Sequence, residues 1–504
     1  MTFIRSLLLF LLPVLAFASG GESATDGLSG MANSFFGGIN GVVASVLFFE
    51  LPLIKLPLIL FVMVAGGIFF TVRYGFINVR LFKHAIDVIR GKYDDPDHHG
   101  EITHFQALTS ALSATVGLGN IAGVAVAIQV GGPGAVFWLW VVAFFGMCMK
   151  FSSCTFAQLH RKVADDGKVL GGPMVYLKEG IAEMFPGLKW LGTAMGGFYA
   201  VMTIMASFGG GNMFQANQTF ELLANQFPAL QDHGLAVGVT LAFLAGIVLI
   251  GGIKRIADVT SKLVPAMCAF YVGTCMVIIF SNITAVPELI QSIFAQAFDP
   301  DAALYGTFIG VLIQGVKRAS FSNEAGIGSA AIAHAAAKTD KPVREGVVAM
   351  IGPTIDTHIV CTMTSLAILI TGAHLKPELA GKGAQITAAA FGTLGSAMPV
   401  LLTIATVIFA YSTVISWSYY GERASEYLFG RKSIPVYRVI YVFVIILGPI
   451  ISLGSVIDFS DLMLLSMAFP NIIGMAMMSG KMKKMAAEYL QEYREGKFKV
   501  FLKN

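Results

Sequence analysis

Thr115-Val116-Gly117-Leu118-Gly119-Asn120 and Glu324-Ala325-Gly326-Ile327-Gly328-Ser329 each lie about midway along a long apolar stretch. Each has a Gly-Leu-Gly or Gly-Ile-Gly centre followed by an amide or a hydroxyl residue. In water such a segment is an ordinary turn. Inside a bilayer a helix can break only where the freed backbone lines a cavity or is buried in protein. Gly-interrupted hydrophobic segments at corresponding places in two halves of a chain point to the substrate and ion site of a secondary transporter.

The surrounding composition sets the solvent. Of 504 residues, 56% are hydrophobic and only 13% charged, with a mean hydropathy of +0.73. Soluble domains carry about 25% charged residues, so one water-surrounded core is excluded. The apolar runs are long enough for helices, which implies an all-α polytopic membrane protein. The net charge of +4 says little because the charges are unevenly placed. Cys148, Cys154, Cys268, Cys275 and Cys361 all fall in apolar stretches and are expected to be small buried hydrophobes, not a disulfide framework.

Residues 1–19 form a separate unit. Arg5 precedes an apolar run too short to span, and Ala16-Phe17-Ala18 supplies a small-x-small cleavage pattern. A secretory signal peptide is expected, which puts the mature N-terminus outside; an uncleaved anchor is the rival. Residues 20–52 then form a periplasmic or interfacial segment, with an amphipathic helix over 28–50.

About 20 mostly apolar residues make a spanning helix. Spans are expected near 53–72, 105–129, 135–159, 190–222, 236–252, 262–281, 304–337, 346–372, 394–420, 436–454 and 459–479. Positive charge accumulates in cytoplasmic loops. With the N-terminus outside, Arg73, Arg80, Lys83, Arg90 and Lys92 fall inside. So do Arg161, Lys162 and Lys168, then Lys254 and Arg255, then Lys338, Lys341 and Arg344, then Arg423, Arg431, Lys432 and Arg438. The outer loops 223–235 and 282–303 contain neither Lys nor Arg. The C-terminus is therefore cytoplasmic. The second break falls five spans after the first, so its helix crosses in the opposite direction. That divides the chain into an extra N-terminal span with its loop (53–104), a first inverted repeat (105–281), a second (304–479) and a basic tail (480–504).

A broken helix offers N–H groups to a carboxylate and carbonyls to a cation. Gly117 and Gly119 allow close backbone approach, Asn120 adds an amide, and Thr115 and Ser113 add hydroxyls. In the second break Ser320, Ser322 and Asn323 offer hydroxyls and an amide. Glu324 offers a carboxylate to a substrate amine or a cation. The alternative for each glycine pair is a small-residue helix contact. Asp356 is an intramembrane acid, hence a functional candidate; it either binds a cation or orients the broken helix. Lys317 and Arg318 either form an outer gate with Asp458 or Asp461, or snorkel to the interface. His334 and His358 read as packing or hydrogen-bonded residues. Ser412, Thr413 and Ser416 put hydroxyls inside a span, where they suit a sodium ion held against the first broken helix. Trp417 and Tyr419 follow near the predicted cytoplasmic end, where an aromatic belt is the competing explanation.

The run Gly131-Gly132-Pro133-Gly134-Ala135-Val136-Phe137-Trp138-Leu139-Trp140 resembles the signature of the alanine or glycine:cation symporter family, whose members are sodium:alanine symporters. Gly119-Asn120-Ile121-Ala122-Gly123, the stretch from Ser320 to Ser329, Ala333 to Thr339, and Trp417-Ser418-Tyr419-Tyr420-Gly421-Glu422 resemble it too. The family usually has Gly where this chain has Ala319. The resemblance covers roughly residues 50 to 480. It implies a leucine-transporter-type fold, a five-plus-five inverted repeat with one extra N-terminal span. It further implies sodium-coupled uptake of alanine or glycine across a bacterial inner membrane. By analogy with that fold, sodium sits near Ala114, Val116, Thr413 and Ser416. Thr115, Gly117, Gly119 and Asn120 meet the substrate carboxylate, Ser322, Asn323 and Glu324 meet its ammonium group, and Phe321 or Trp417 limits the side chain. Na⁺ is the expected coupling ion. The expected partners are a small amino acid and the lipid bilayer, with no nucleic acid and a monomer as sufficient unit. Proton coupling through Glu324 or Asp356 stays open. A channel or an intramembrane enzyme fits less well, because two separated breaks argue for a closed central site and no nucleophile–base pair is evident.

Overall fold

A computed structural model describes residues 38, 40–41, 43–52, 56–95, 97–299, 308–451 and 454–501. The expected signal peptide, 1–19, lies outside the described residues.

The chain is helical almost throughout. After α1 (Leu58–Arg73) come the short amphipathic α2 (Phe82–Ile89), α3 (His104–Thr115), α4 (Val124–Gly131) and α5 (Gly134–Leu159). A two-residue hairpin, β1 (Lys162–Val163) with β2 (Val169–Leu170), is antiparallel in the register Lys162–Leu170. Then follow α6 (Pro173–Met184), α7 (Lys189–Phe208), α8 (Phe214–Gln226), α9 (Gly234–Leu249), α10 (Gly252–Ser281) and α11 (Val286–Ala297). The second half holds α12 (Phe308–Asn323), α13 (Ala330–His334), α14 (Pro342–Ala349), α15 (Thr362–Thr371), α16 (Gly383–Phe391) and α17 (Met398–Phe429). It closes with α18 (Ser433–Leu447), α19 (Gly454–Ser466), α20 (Ala468–Met477) and α21 (Ser479–Arg494).

Among the described residues six helical stretches are long and apolar enough to cross a membrane, and α3 with the helix Gly119–Gly131 forms a seventh, bent by 54°. α1, α9 and α18 are apolar but shorter. Wide π-turns at Gly119–Gly123, Gly209–Met213 and Thr354–Cys361 loosen three helices, a feature frequent at functional sites.

Both expected breaks are present, and local chemistry makes them. The N-terminal end of α3 is set by a capping box: Gln106 N–H donates to Thr103 Oγ1 (3.2 Å) and Thr103 N–H to Gln106 Oε1 (3.0 Å). Its other end stops because Gly117 N–H turns to Asn120 Oδ1 (3.3 Å). The Ser113 carbonyl instead accepts the hydroxyls of Thr413 (3.1 Å) and Ser412 (3.4 Å). In the second half, Glu324 (φ +53°), Gly326 (+89°) and Gly328 (+88°) occupy the left-handed region within five residues, which no right-handed helix can follow. Asn471 on α20 braces that loop by donating to the Gly326 carbonyl (2.7 Å).

Three expectations need correction. Helix α17 runs to Phe429 instead of 420, so Trp417 lies well inside it and is 3% exposed; it is no interfacial belt residue. The loop after 373 contains α16, whose Thr387 hydroxyl bonds the Ile121 carbonyl (3.2 Å) beside the first break. The loops around 173–184 and 286–297 are helical. The sequence signal for these elements was short and amphipathic, below the length that marks a span.

Packing places the breaks centrally. α5 packs on α1, α12 and α14, while α17 packs on α3, α7, α8 and α10. The π-turn after the first break packs on α12 and α16.

Candidate substrate and ion site

The two breaks meet through Asn120. Its Nδ2 donates to Ser322 Oγ (3.0 Å) and to the Asp356 carbonyl (2.9 Å), while its Oδ1 holds Gly117 N–H. A buried polar knot surrounds it. Thr357 Oγ1 donates to Asp356 Oδ1 (2.7 Å), accepts from Asn323 Nδ2 (3.1 Å) and pairs with Ser322 Oγ (2.9 Å). Gly119 brings the two breaks close: a Cβ there would stand 3.4 Å from the Phe321 carbonyl oxygen, in van der Waals contact.

Beside this knot lies a cavity of about 270 Å³, a size suited to a small ligand. Ala114, Thr115, Gly117, Gly119, Phe321, Glu324, Thr413 and Trp417 all line it. It extends past Arg318 and Asp461 to Gly381 and Gly383. Trp417 packs against Gly211 on one side and Tyr420 on the other, with ring centroids 5.3 Å apart. Glu324 is 3% exposed and accepts the Ser329 hydroxyl. Its left-handed backbone is strained for a side-chain-bearing residue, a state that persists where the surroundings enforce it.

Of the remaining sequence-derived candidates, Arg318 and Asp461 line that cavity, and Asn120, Ser322, Asn323, Asp356, Lys317 and Asp458 do not. Asn120, Ser322 and Asn323 face the knot. Asp356 lies 3.9 Å from Lys150 Nζ, with both side chains buried. Its Oδ2 has no hydrogen-bond partner among the described residues. Lys317 Nζ stands 3.5 Å from Asp461 Oδ2. Arg318 lines the cavity with its Nε unpartnered among the described residues. Asp458 is exposed and makes no ion pair among the described residues.

For the sodium ion, oxygen ligands are the test. Val116 is fully buried at the end of α3, and Ser113 Oγ donates to the Ser412 carbonyl (2.7 Å), clamping α3 to α17. A Cβ on Gly117 would lie 2.9 Å from Thr413 Oγ1. Ser416 Oγ is buried without a hydrogen-bond partner among the described residues. An orphaned hydroxyl one helical turn from Thr413, beside a helix end, is the uncharged oxygen set that a hard cation takes. The residues present fit the ion.

Several important residues escaped sequence reading. Lys150 is a lone cation in an apolar run, a signal that intramembrane charge rules do provide. Glu345 is fully buried and bonds His104 Nδ1 and His334 Nδ1 (2.5 Å for the latter). It thereby ties the start of α3, the end of α13 and the start of α14. Arg161 donates to the carbonyls of Ala335 (3.0 Å), Ala337 (2.5 Å), His99 (2.8 Å) and Thr339 (3.0 Å), a cation at a helix C-terminus. Such pairings join residues far apart in sequence, and a single chain carries no trace of them. His334 is a hydrogen-bonded residue, as expected.

Comparison with known proteins completes the picture. Residues 42–503 match the Sodium:alanine symporter family. The sodium/alanine symporter AgcS of Methanococcus maripaludis is 43% identical over 426 residues, covering 84% of this chain and 92% of that one. The probable sodium/glutamine symporter GlnT of Bacillus subtilis is 34% identical over 450 residues, covering 89% and 91%. Among solved structures, MhsT in complex with L-phenylalanine aligns with a TM-score of 0.52 at 13% identity, covering 75% of this chain and 98% of that one; this shows the fold. A profile that matches nearly the whole helical body, with both breaks inside it, leaves one conclusion: the chain belongs to the sodium:alanine symporter family and is a sodium-coupled amino-acid symporter, not an enzyme.

Proposed function

We propose that the protein takes up alanine or glycine with sodium by alternating access. One observation carries this: two interrupted helices tied together by Asn120 flank a small cavity that holds the buried carboxylate Glu324. The substrate carboxylate meets the freed N–H groups around Leu118 and Gly119, and its ammonium group meets Glu324. Phe321 and Trp417 line the cavity and bound the space for the substrate side chain. Sodium sits between the end of α3 and α17, at the carbonyls of Ala114 and Val116 and the hydroxyls of Thr413 and Ser416. Occupancy fixes α3 against α17, so the ion and the amino acid favour the same geometry.

The halves 105–281 and 304–479 form the five-plus-five repeat, preceded by the extra span in 53–104. The distribution of Lys and Arg supports an outer N-terminus and a cytoplasmic tail. Inward sodium movement supplies about 2.3 kcal/mol per 100 mV, to which the sodium gradient adds.

Proton coupling is favoured by one observation, the buried Lys150–Asp356 pair beside the knot. Against it, Lys150 already balances Asp356, which leaves that carboxylate neither a free proton site nor a second sodium site. Uptake of radiolabelled alanine by proteoliposomes under imposed gradients decides. Accumulation is expected with a sodium gradient at equal pH, and none with a pH gradient in sodium-free buffer. Accumulation driven by the pH gradient alone overturns the sodium assignment.

A further inference from the structure

On the inner face, which carries residues 74–103 and the C-terminal helix, a second cavity of about 530 Å³ opens between the end of α1, the turn after it and α21. Four cationic side chains line it, Arg73, Arg80, Lys483 and Arg494, and no acidic residue does. All four are exposed, and none makes an ion pair among the described residues. The acids of α21 face other partners: Glu492 meets Lys341 at 2.7 Å, and Glu488 meets Lys484 at 4.0 Å. Four like charges gathered in one recess repel each other unless an anion joins them.

The neighbouring surface tells which anion. Val72 lines the cavity at the last turn of the apolar α1 and is 61% exposed. Phe76 and Val79, on the following turn, are 46% and 59% exposed. The recess therefore sits where an apolar, outward-facing helix surface ends in a ring of cations. A molecule with a phosphate head and hydrocarbon tails matches both halves; a free phosphate matches only one. Basic pockets of this kind between membrane helices bind anionic lipid head groups.

We propose that this recess is a binding site for an acidic glycerophospholipid, whose phosphate lies among Arg73, Arg80, Lys483 and Arg494 and whose acyl chains run along Val72 and the outer face of α1. The lipid thereby staples the C-terminal helix to the first membrane helix.

The test uses the full-length purified protein, exchanged into a detergent and titrated with phosphatidylglycerol or phosphatidylcholine, with bound lipid counted by native mass spectrometry. One phosphatidylglycerol retained per chain is expected, with phosphatidylcholine at least ten-fold weaker. Each surface cation is worth about five-fold, so Arg73→Ala with Arg80→Ala should weaken retention about 25-fold, and Arg73→Lys with Arg80→Lys should restore most of it. Lys189→Ala with Lys432→Ala, on exposed cations away from the recess, should leave retention unchanged. Equal loss in the control pair, or equal retention of phosphatidylcholine, overturns the site. Displacement of the lipid by millimolar inorganic phosphate overturns the lipid assignment in favour of a free anion.

Discussion

Replacing Asn120 by Ala tests whether the two breaks are mechanically coupled. The truncation leaves Gly117 N–H and the Asp356 carbonyl without their side-chain partner, while Ser322 Oγ keeps Thr357. An orphaned buried polar group costs about 1–3 kcal/mol, and water admitted into the vacated space holds the sum of two near the lower end, about 2–3 kcal/mol. The binding-competent arrangement of the breaks becomes that much rarer, and apparent affinity falls in proportion to its population. At 1.4 kcal/mol per ten-fold, the apparent constant for alanine should rise about 30- to 150-fold. Because the competent arrangement also forms the proposed sodium site at the end of α3, the sodium constant should rise with it. Equilibrium binding of labelled alanine over a range of sodium concentrations gives both numbers, and Asn120→Asp, which keeps an acceptor for Gly117 N–H, should recover part of the loss. An alanine constant that rises alone would show Asn120 to be a direct substrate ligand. Two unchanged constants would show that the knot braces nothing.

Glu324→Gln keeps the shape and an acceptor for the Ser329 hydroxyl but removes the charge facing the ammonium group; hydrogen bonds to charged groups are worth about 1.5–3 kcal/mol, so alanine binding should weaken at least ten-fold with an unchanged melting temperature. Lys150→Met and Asp356→Asn should each destabilise the protein by about 3–5 kcal/mol, by leaving a buried charge alone. The double variant should melt nearer the wild type, and an additive double variant would show that the pair does not interact. His84 packs in an aromatic box with Tyr93, Tyr489, Tyr493 and Phe498, and burial, followed by Arg344 nearby, pushes its pKa down from 6.5 to about 4. A depressed folded value means that docking of the tail is strongest above pH 6.5 and is lost as pH falls toward 4; hydrogen exchange of residues 479–501 should quicken over that window, and His84→Gln should flatten the response. Glu345→Gln weakens the bonds to His104 at the start of α3 and to His334 at the end of α13 and should speed thiol labelling of a Cys placed at Ser110; unchanged labelling with unchanged uptake would remove this tie from the proposed transport cycle.

The breaks were legible because glycine in a long apolar run has few uses in lipid, and both landed where the Gly-Leu-Gly and Gly-Ile-Gly segments lie. Helix ends were less so. Nothing in the run from Ser412 to Tyr420 tells that α17 continues to Phe429, because Glu422, Arg423 and Glu426 look like a solvated end. They are in fact buried with one another: Arg423 Nη2 meets Glu422 Oε1 at 2.5 Å and Arg423 Nη1 meets Glu426 Oε2 at 2.6 Å. Residue types at the site were readable, but their facing was not. Asn120, Ser322 and Asn323 carry the chemistry expected of ligands yet turn into the knot, since a broken helix must first satisfy its own freed groups. Thr413 and Trp417 do face the cavity, because their helix presents one side to it.

The distribution of polar ties gives the molecule a direction. On one side of the breaks the helices are bound many times over. Glu345 holds His104 and His334, and Arg161 holds four carbonyls. Gln158 Nε2 donates to the carbonyls of His334 (2.5 Å) and Ala337 (3.1 Å), and Glu101 N–H donates to that of Ala336 (2.8 Å). Toward the other side the cavity passes the Lys317–Asp461 pair at 3.5 Å and Arg318, whose Nε has no hydrogen-bond partner among the described residues, and reaches the loop at Gly381. Packed interfaces shift between discrete arrangements instead of deforming continuously. Under the proposed alternating access, a hinge at each break can exchange the tight end for the loose one only if the ties at the tight end are released together. Most of those ties converge on Glu345, His334 and the carbonyls just past α13.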